Sequence, residues 1–285
     1  MTLCLVKRGA STVVASRPGY WSLVYPGRVI VWPFVFCGWG AYNDPSPQRR
    51  SCYPVLGKVR MIGWMRRQLP RLMLEPVNTL THLFGTLAAL LGTLYLALLT
   101  WQEPGKMVTL LVYGVCLVGL YLASTLFHGA RVGEDTRMWL NRVDHAAIFL
   151  LIAGTYTPIL ANLFPAGWGR LVLVLIWLVA LAGIGSKLTS RRIHGVLNVS
   201  IYLILGWGGV LPLLLATWLG LMVIPAGALW LLLGGLVYSA GFVVYYTRRP
   251  DPWPGRVGHH EIWHLFVLGG SLCHYLFMLW YVVPA

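Results

Sequence analysis

Seven apolar runs of about 20 residues each, the length needed to cross hydrocarbon as an α-helix, follow one another through most of this chain. They are Thr79–Thr100, Met107–Phe127, His145–Phe164, Leu171–Lys187, Gly195–Thr217, Met222–Tyr246 and Glu261–Val283. Hydrocarbon offers no water to an unpaired backbone, so only helices and closed barrels span it. The runs lack the two-residue alternation of barrel strands and read as helices. Composition agrees: 58% of the 285 residues are hydrophobic and 11% charged, against about 25% charged in soluble domains. The expected fold is an all-α polytopic membrane protein, a seven-helix bundle with no soluble domain inserted, because every connection is short.

Lys and Arg mark one side of the membrane. Arg66, Arg67 and Arg71 precede the first span. Arg131, Arg137 and Arg142 occupy the second connection, Lys187, Arg191 and Arg192 the fourth, and Arg248, Arg249 and Arg256 the sixth. The alternate connections carry only Lys106 and Arg170. Basic residues are retained on the inner side, which predicts a cytoplasmic N-terminus. The net charge of +14 is concentrated at the front, where residues 1–74 hold 11 Lys and Arg against the single acid Asp44. Its expected partner is the anionic lipid headgroup at the cytoplasmic face, and nucleic acid is excluded as a partner. Residues 1–60 mix Pro, Gly, Arg and Trp without helical or alternating periodicity. They read as a poorly ordered basic extension, with Met61 and Met65 as alternative starts. Residues 61–74 read as an amphipathic basic interfacial segment, leaving 75–285 as the membrane domain. Cys116 and Cys273 lie inside spans and read as buried thiols; the five cysteines form no C-x-x-C pair.

With topology assigned, seven of the eight histidines fall near the inner face. His260 and His264 share one helix face, with Cβ atoms about 5–6 Å apart, and can hold one metal ion together; Zn2+ suits such a pair best. Ionisable groups in a membrane helix cost about 2.5–3.5 kcal/mol each at its centre, so their grouping is informative. His128, four residues after Ser124 at the inner end of span two, supplies a third nitrogen and leaves a fourth position for water. Asp144 opens span three beside it, placed to hold that water or act as base, with Ser124 as a hydrogen-bonding partner. Glu75, Asn78 and His82 share a face at the start of span one. His145 turns about 100° from Asp144 and is expected around the site or in packing. His274 lies about 15 Å deeper than His264, too far to bind the same ion; it lines a cavity or is hydrogen-bonded between helices.

Four blocks carry a resemblance to a known family: E-P-V-N-T-L-T-H (75–82), A-S-T-L-F-H (123–128), R-V-D-H-A-A-I-F-L-L-I-A-G-T-Y-T-P (142–158) and H-E-I-W-H-L-F-V-L-G-G-S-L-C-H (260–274). Together they resemble the hemolysin III family, the bacterial branch of the progestin and adipoQ receptor group, from Glu75 to about Tyr281. The resemblance implies a seven-helix bundle in the bacterial inner (plasma) membrane with one Zn2+ held at the cytoplasmic side. The zinc histidines map onto His128, His260 and His264, the aspartate onto Asp144 and the serine onto Ser124. A tyrosine usual before the first histidine is Phe127 here. The related alkaline ceramidases imply lipid amide or ester hydrolysis linked to membrane lipid homeostasis, with lipid as substrate or ligand.

Three functions compete: a zinc-dependent hydrolase, a lipid sensor or receptor with structural zinc, and a pore-forming, cytolytic haemolysin. A pore needs a continuous polar path, yet the far half of each span is apolar apart from His274 and hydroxyls. His260-Glu261-x-x-His264 also spells the H-E-x-x-H of zinc peptidases, with Glu261 as base. His194 and His259 read as interfacial. Gly154-Thr155-Tyr156-Thr157-Pro158 predicts a kink in span three. The paired glycines Gly183/Gly185, Gly206/Gly208/Gly209 and Gly269/Gly270 predict close helix packing.

Overall fold

A computed structural model describes residues 12–17, 20–25, 28–33, 72–189, 195–224, 227–253 and 257–285. The chain divides into two units, Met1–Pro54 and Val55–Ala285. In the first, β1 (Thr12–Arg17), β2 (Tyr20–Tyr25) and β3 (Arg28–Pro33) form an antiparallel meander in the order β1-β2-β3. Thr12 pairs with Val24, and Tyr25 with Arg28. Residues 1–60 were expected to lack such elements. The strands follow from short β-branched and aromatic runs, each separated from the next by a Pro-Gly pair, a combination that favours turns. Most of the segment at 61–74, together with His194, lies outside the described residues.

The second unit is all-α. Its helices are α1 (Pro76–Leu99), α2 (Pro104–Gly129), α3 (Glu134–Asn162), α4 (Ala166–Thr189), α5 (Gly195–Trp207), α6 (Val210–Trp218), α7 (Ala228–Thr247) and α8 (His259–Phe277). A π-helical turn, Met278–Val282, extends α8. Seven spans among the described residues are long and apolar enough to cross a membrane, α5 and α6 together supplying the fifth. Side chains such as Leu91, Leu98 and Leu211 are 67%, 71% and 72% exposed. A water-soluble surface does not carry such a continuous apolar coat; hydrocarbon accepts it.

The interior is built mainly by α1, α2, α3 and α8, with Leu96, Leu110, Tyr113, Leu117, Leu120 and Phe277 at its centre. Close approach depends on missing side chains. A Cβ on Gly154 of α3 would lie 2.7 Å from Cys116 Sγ of α2, so the two helices meet at that pair. Cys116 and Cys273 are buried free thiols.

Two spans depart from the sequence boundaries in ways that bear on the site. Span three starts at Glu134, not His145, about three turns earlier. Those turns are polar and carry Glu134 and Asp135 at the N-terminal end, where carboxylates oppose the helix dipole; a hydropathy run finds only the apolar remainder. Span six starts at Ala228 rather than Met222.

Span five is broken at Gly208-Gly209, where the sequence predicted only close packing. A break inside the bilayer leaves backbone groups that need partners. Tyr156 of α3 supplies one: its hydroxyl accepts the Gly209 N–H at 2.6 Å and lies 3.0 and 2.9 Å from the Leu205 and Gly206 carbonyls, to one of which it donates. A Cβ on Gly209 would collide with that tyrosine ring. Replacing Tyr156 with Phe orphans these groups and is expected to destabilise the bundle by about 1–3 kcal/mol. A lowered midpoint in detergent thermal unfolding checks this; an unchanged midpoint contradicts the capping role.

A candidate metal centre

Three helix ends, the start of α1, the end of α2 and the start of α8, meet beside the third turn of α3. Pro76 opens α1, a position that tolerates its missing N–H. The Glu75 N–H bonds the His128 carbonyl at 3.0 Å, and the Leu74 N–H bonds that of Gly129 at 3.2 Å. The start of α1 is thereby stitched to the end of α2 by backbone alone, and His128 is held directly opposite Glu75.

His128, His260 and His264 converge. One nitrogen from each lies within 4.8 Å of the other two. The ring centroids of His128 are 5.2 Å from His260 and 4.8 Å from His264. Residues 260 and 264 are one helical turn apart on α8, so one face presents both. His128 and His264 are almost wholly buried, at 3% and 2% exposure.

The surroundings fit a cation. His128 Nδ1 is 2.7 Å from Glu75 Oε2. Against a carboxylate that nitrogen must donate, which leaves Nε2 with its lone pair. His260 Nε2 and His264 Nδ1 are buried with no hydrogen-bond partner, an arrangement costing about 1–3 kcal/mol per group when nothing satisfies it. Histidine nitrogens ligate zinc at about 2.0–2.1 Å, so two on one ion stand no more than about 4.2 Å apart, and the set closes only as the rings draw inward. The three histidines can hold a metal ion.

Glu75 organises the surroundings. Its Oε2 also accepts Asn78 Nδ2 at 3.0 Å, and its Oε1 accepts Arg137 Nη2 at 3.0 Å. The carboxyl falls from the usual 4.5 to about 2, chiefly because His128 donates to it, with Asn78 and Arg137 adding to the effect against its partial burial. A lowered carboxyl stabilises the fold fully above its ordinary pKa, and that contribution is lost as pH falls from about 4.5 towards 2. Glu75 is therefore an anion at neutral pH. Asn78 also donates to Glu261 Oε1 at 3.0 Å, while Glu261 Oε2 accepts the Gly258 N–H at 2.8 Å. Both Glu261 oxygens are thus engaged in tying α8 to α1 and in holding its own N-terminus.

His82 lies flat against His264, with centroids 3.7 Å apart and planes 14° from parallel, and edge-on to Tyr121 at 5.1 Å. It packs behind a ligand-type ring. Asp144 and Ser124 line the same cavity as the three histidines. His145 Nδ1 faces the Asn141 carbonyl at 2.8 Å and lies 3.4 Å from Asp144 Oδ2, while its own carbonyl accepts the Tyr202 hydroxyl at 2.9 Å. His274 faces the same cavity well away from the cluster.

Arg137 is the participant that the sequence reading treated only as a topology marker. Besides binding Glu75, its guanidinium lies 5.0 Å from the centre of the Phe127 ring, a cation–π contact. It stands one face-sharing step of seven residues before Asp144, and the early start of α3 is what brings it in. The acids Glu134 and Asp135 after Gly133 were the legible sign of that start.

The cavity beneath these side chains has a volume of about 800 Å3. Its polar end holds His128, Asp144, His260 and His264; its far wall includes Leu213, Leu229 and Phe277. An outer carboxylate that orients a ligand histidine typically accounts for about 10–100-fold in metal affinity. Glu75→Gln is expected to weaken binding of a divalent metal ion by that range, measured by chelator competition. Unchanged affinity contradicts the orienting role of the Glu75–His128 bond.

Comparison with known proteins converges on one family. Residues 71–275 match the family described as Haemolysin-III related. The chain is 35% identical over 211 residues to the "Hemolysin-3 homolog" of Bacillus subtilis (strain 168), covering 73% of this chain and 94% of that protein. It is 34% identical to "Hemolysin-3" of Bacillus cereus, covering 74% and 92%. A more distant similarity, 28% over 222 residues, joins it to "Monocyte to macrophage differentiation factor" of Homo sapiens, covering 75% and 86%.

Proposed function

From the premise that this chain belongs to the haemolysin-III family, we propose that it is a zinc-dependent membrane hydrolase acting on a lipid amide or ester. The observation that carries this reading is the convergence of three imidazoles at the polar end of an apolar cavity of about 800 Å3 within a membrane-spanning bundle. Apolar walls suit an acyl chain, and the scissile carbonyl then comes to rest among the histidines.

His128, His260 and His264 hold one Zn2+. An ion held there would supply Lewis acidity and lower the pKa of a water, which becomes a nucleophile once it loses a proton. Asp144 is the general base: it takes a proton from the attacking water and returns it to the departing nitrogen or oxygen. Water adds across the acyl bond, leaving a carboxylic acid and an amine or alcohol. Ser124 orients the Asp144 carboxylate, Glu75 holds His128 in the tautomer that presents Nε2, and the apolar walls exclude bulk water from the reacting bond. Glu261 takes no part as base, because both its oxygens are spent on Asn78 and Gly258.

The same proposal places the chain in a bacterial inner membrane with its N-terminus in the cytoplasm. The basic segment at 61–74 rests against anionic headgroups, and the metal centre opens towards the cytoplasmic face. The product released there links the protein to membrane lipid homeostasis.

Purified protein is expected to bind one Zn2+ per chain, and His128→Ala and His260→Ala to lose it on dialysis. Asp144→Asn is expected to keep the metal and lower turnover of an N-acyl lipid by about 10²–10⁴-fold, the usual worth of a general base. Metal analysis paired with lipid mass spectrometry decides the matter. Zinc retained by His128→Ala contradicts the ligand set. An identical lipid profile in cells carrying wild type and the His260→Ala/His264→Ala variant contradicts hydrolysis and favours a receptor whose zinc is structural.

A further inference from the structure

The cavity runs on past the metal centre, and farther along α8 two polar rings turn into it. His274 lies ten residues beyond His264, about 15 Å along the helix axis. Its Nδ1 is 2.8 Å from the Gly270 carbonyl, so the proton sits on Nδ1 and Nε2 is left as an acceptor. Beside it stands Tyr238 of α7, with ring centroids 5.6 Å apart. Both residues line the cavity.

The tyrosine proton can be traced. Tyr121 donates to Ser271 Oγ at 2.8 Å, and Ser271 Oγ lies 2.9 Å from the Tyr238 hydroxyl. Because Ser271 Oγ accepts from Tyr121, its own proton is available to Tyr238, although either of these two oxygens can be the donor. Where Ser271 is the donor, the Tyr238 O–H is left for a ligand in the cavity that this residue lines. In that arrangement the pair offers the cavity a donor at Tyr238 and an acceptor at His274 Nε2, in a wall otherwise formed by side chains such as Leu120, Leu231 and Phe277.

The position of each ring is prepared by the opposite helix. A Cβ on Gly234 of α7 would stand 2.5 Å from His274 Nδ1, and a Cβ on Gly270 of α8 would stand 2.7 Å from Tyr238 Cζ. The two helices exchange a glycine for a ring in both directions, which fixes where the polar atoms lie.

We infer that Tyr238 and His274 form a second polar subsite, one that binds a hydroxyl carried partway along an acyl chain. The ligand hydroxyl accepts from Tyr238 and donates to His274 Nε2. This rests on reading the cavity as a lipid site and narrows its occupant to a mid-chain hydroxylated acyl lipid. An apolar chain leaves His274 Nε2 unmet, and unmet buried polar groups are what allow a site to reject an analogue.

Oleic and ricinoleic acids differ by one mid-chain hydroxyl and provide the test. Each is titrated against a fluorescent fatty acid bound to the full-length protein in nanodiscs. Wild type is expected to bind ricinoleic acid about fivefold to tenfold more tightly, the range of one or two net hydrogen bonds. His274→Phe and Tyr238→Phe are each expected to bring the ratio close to one without weakening oleic acid binding, which also reports intact folding. Equal affinities in wild type, or a preference that survives both substitutions, overturn the subsite alone. Failure of either acid to displace the probe overturns the lipid-cavity reading together with it.

Discussion

A single carboxylate, Glu75, accepts hydrogen bonds from His128 of α2, Arg137 of α3 and Asn78 of α1, and Asn78 reaches on to Glu261 of α8. Four helices are thereby referred to one anion at one end of the bundle. Each of those bonds is charge-assisted or lies beside a charged group, the stronger class of hydrogen bond. Remove the anion and His128 loses the partner that sets its tautomer, Arg137 loses its counter-charge, and α8 loses part of its link to α1. The proposed chemistry depends on this arrangement, because a metal ligand is only as well placed as the group that orients it.

The same end of the bundle separates two roles that the sequence left superimposed. Glu261 occupies the base position of an H-E-x-x-H motif, yet it is consumed by backbone and Asn78. Asp144 lies on a different helix from those two histidines and lines the cavity with Ser124. Spacing along one helix cannot distinguish these cases, because the partner that engages Glu261 comes from a residue far earlier in the chain.

Much of the fold was legible because hydrocarbon leaves few alternatives: a run of the right length and low charge becomes a helix. The pairings of His260 with His264 and of Ser124 with His128 were legible for a similar reason, since helical periodicity fixes which residues share a face. What escaped was polar structure at the edges. Glu134 to Asn141 continue α3 but carry too much charge to register as a span, so Arg137 looked like a loop residue. The break at Gly208-Gly209 was hidden because Tyr156, which bridges it, lies on another helix. The strands at 12–33 were hidden by short length and by the Pro-Gly pairs that punctuate them.

The central claim is that imidazoles from α2 and α8 share one zinc ion. X-ray absorption at the zinc edge of the purified, zinc-loaded protein reads that environment directly. The account expects a shell of nitrogen or oxygen atoms at about 2.0–2.1 Å, with outer scattering from three imidazole rings that falls to two in His128→Ala reloaded with Zn2+ and measured without dialysis. A sulfur shell, or a spectrum that His128→Ala leaves unchanged, would contradict it.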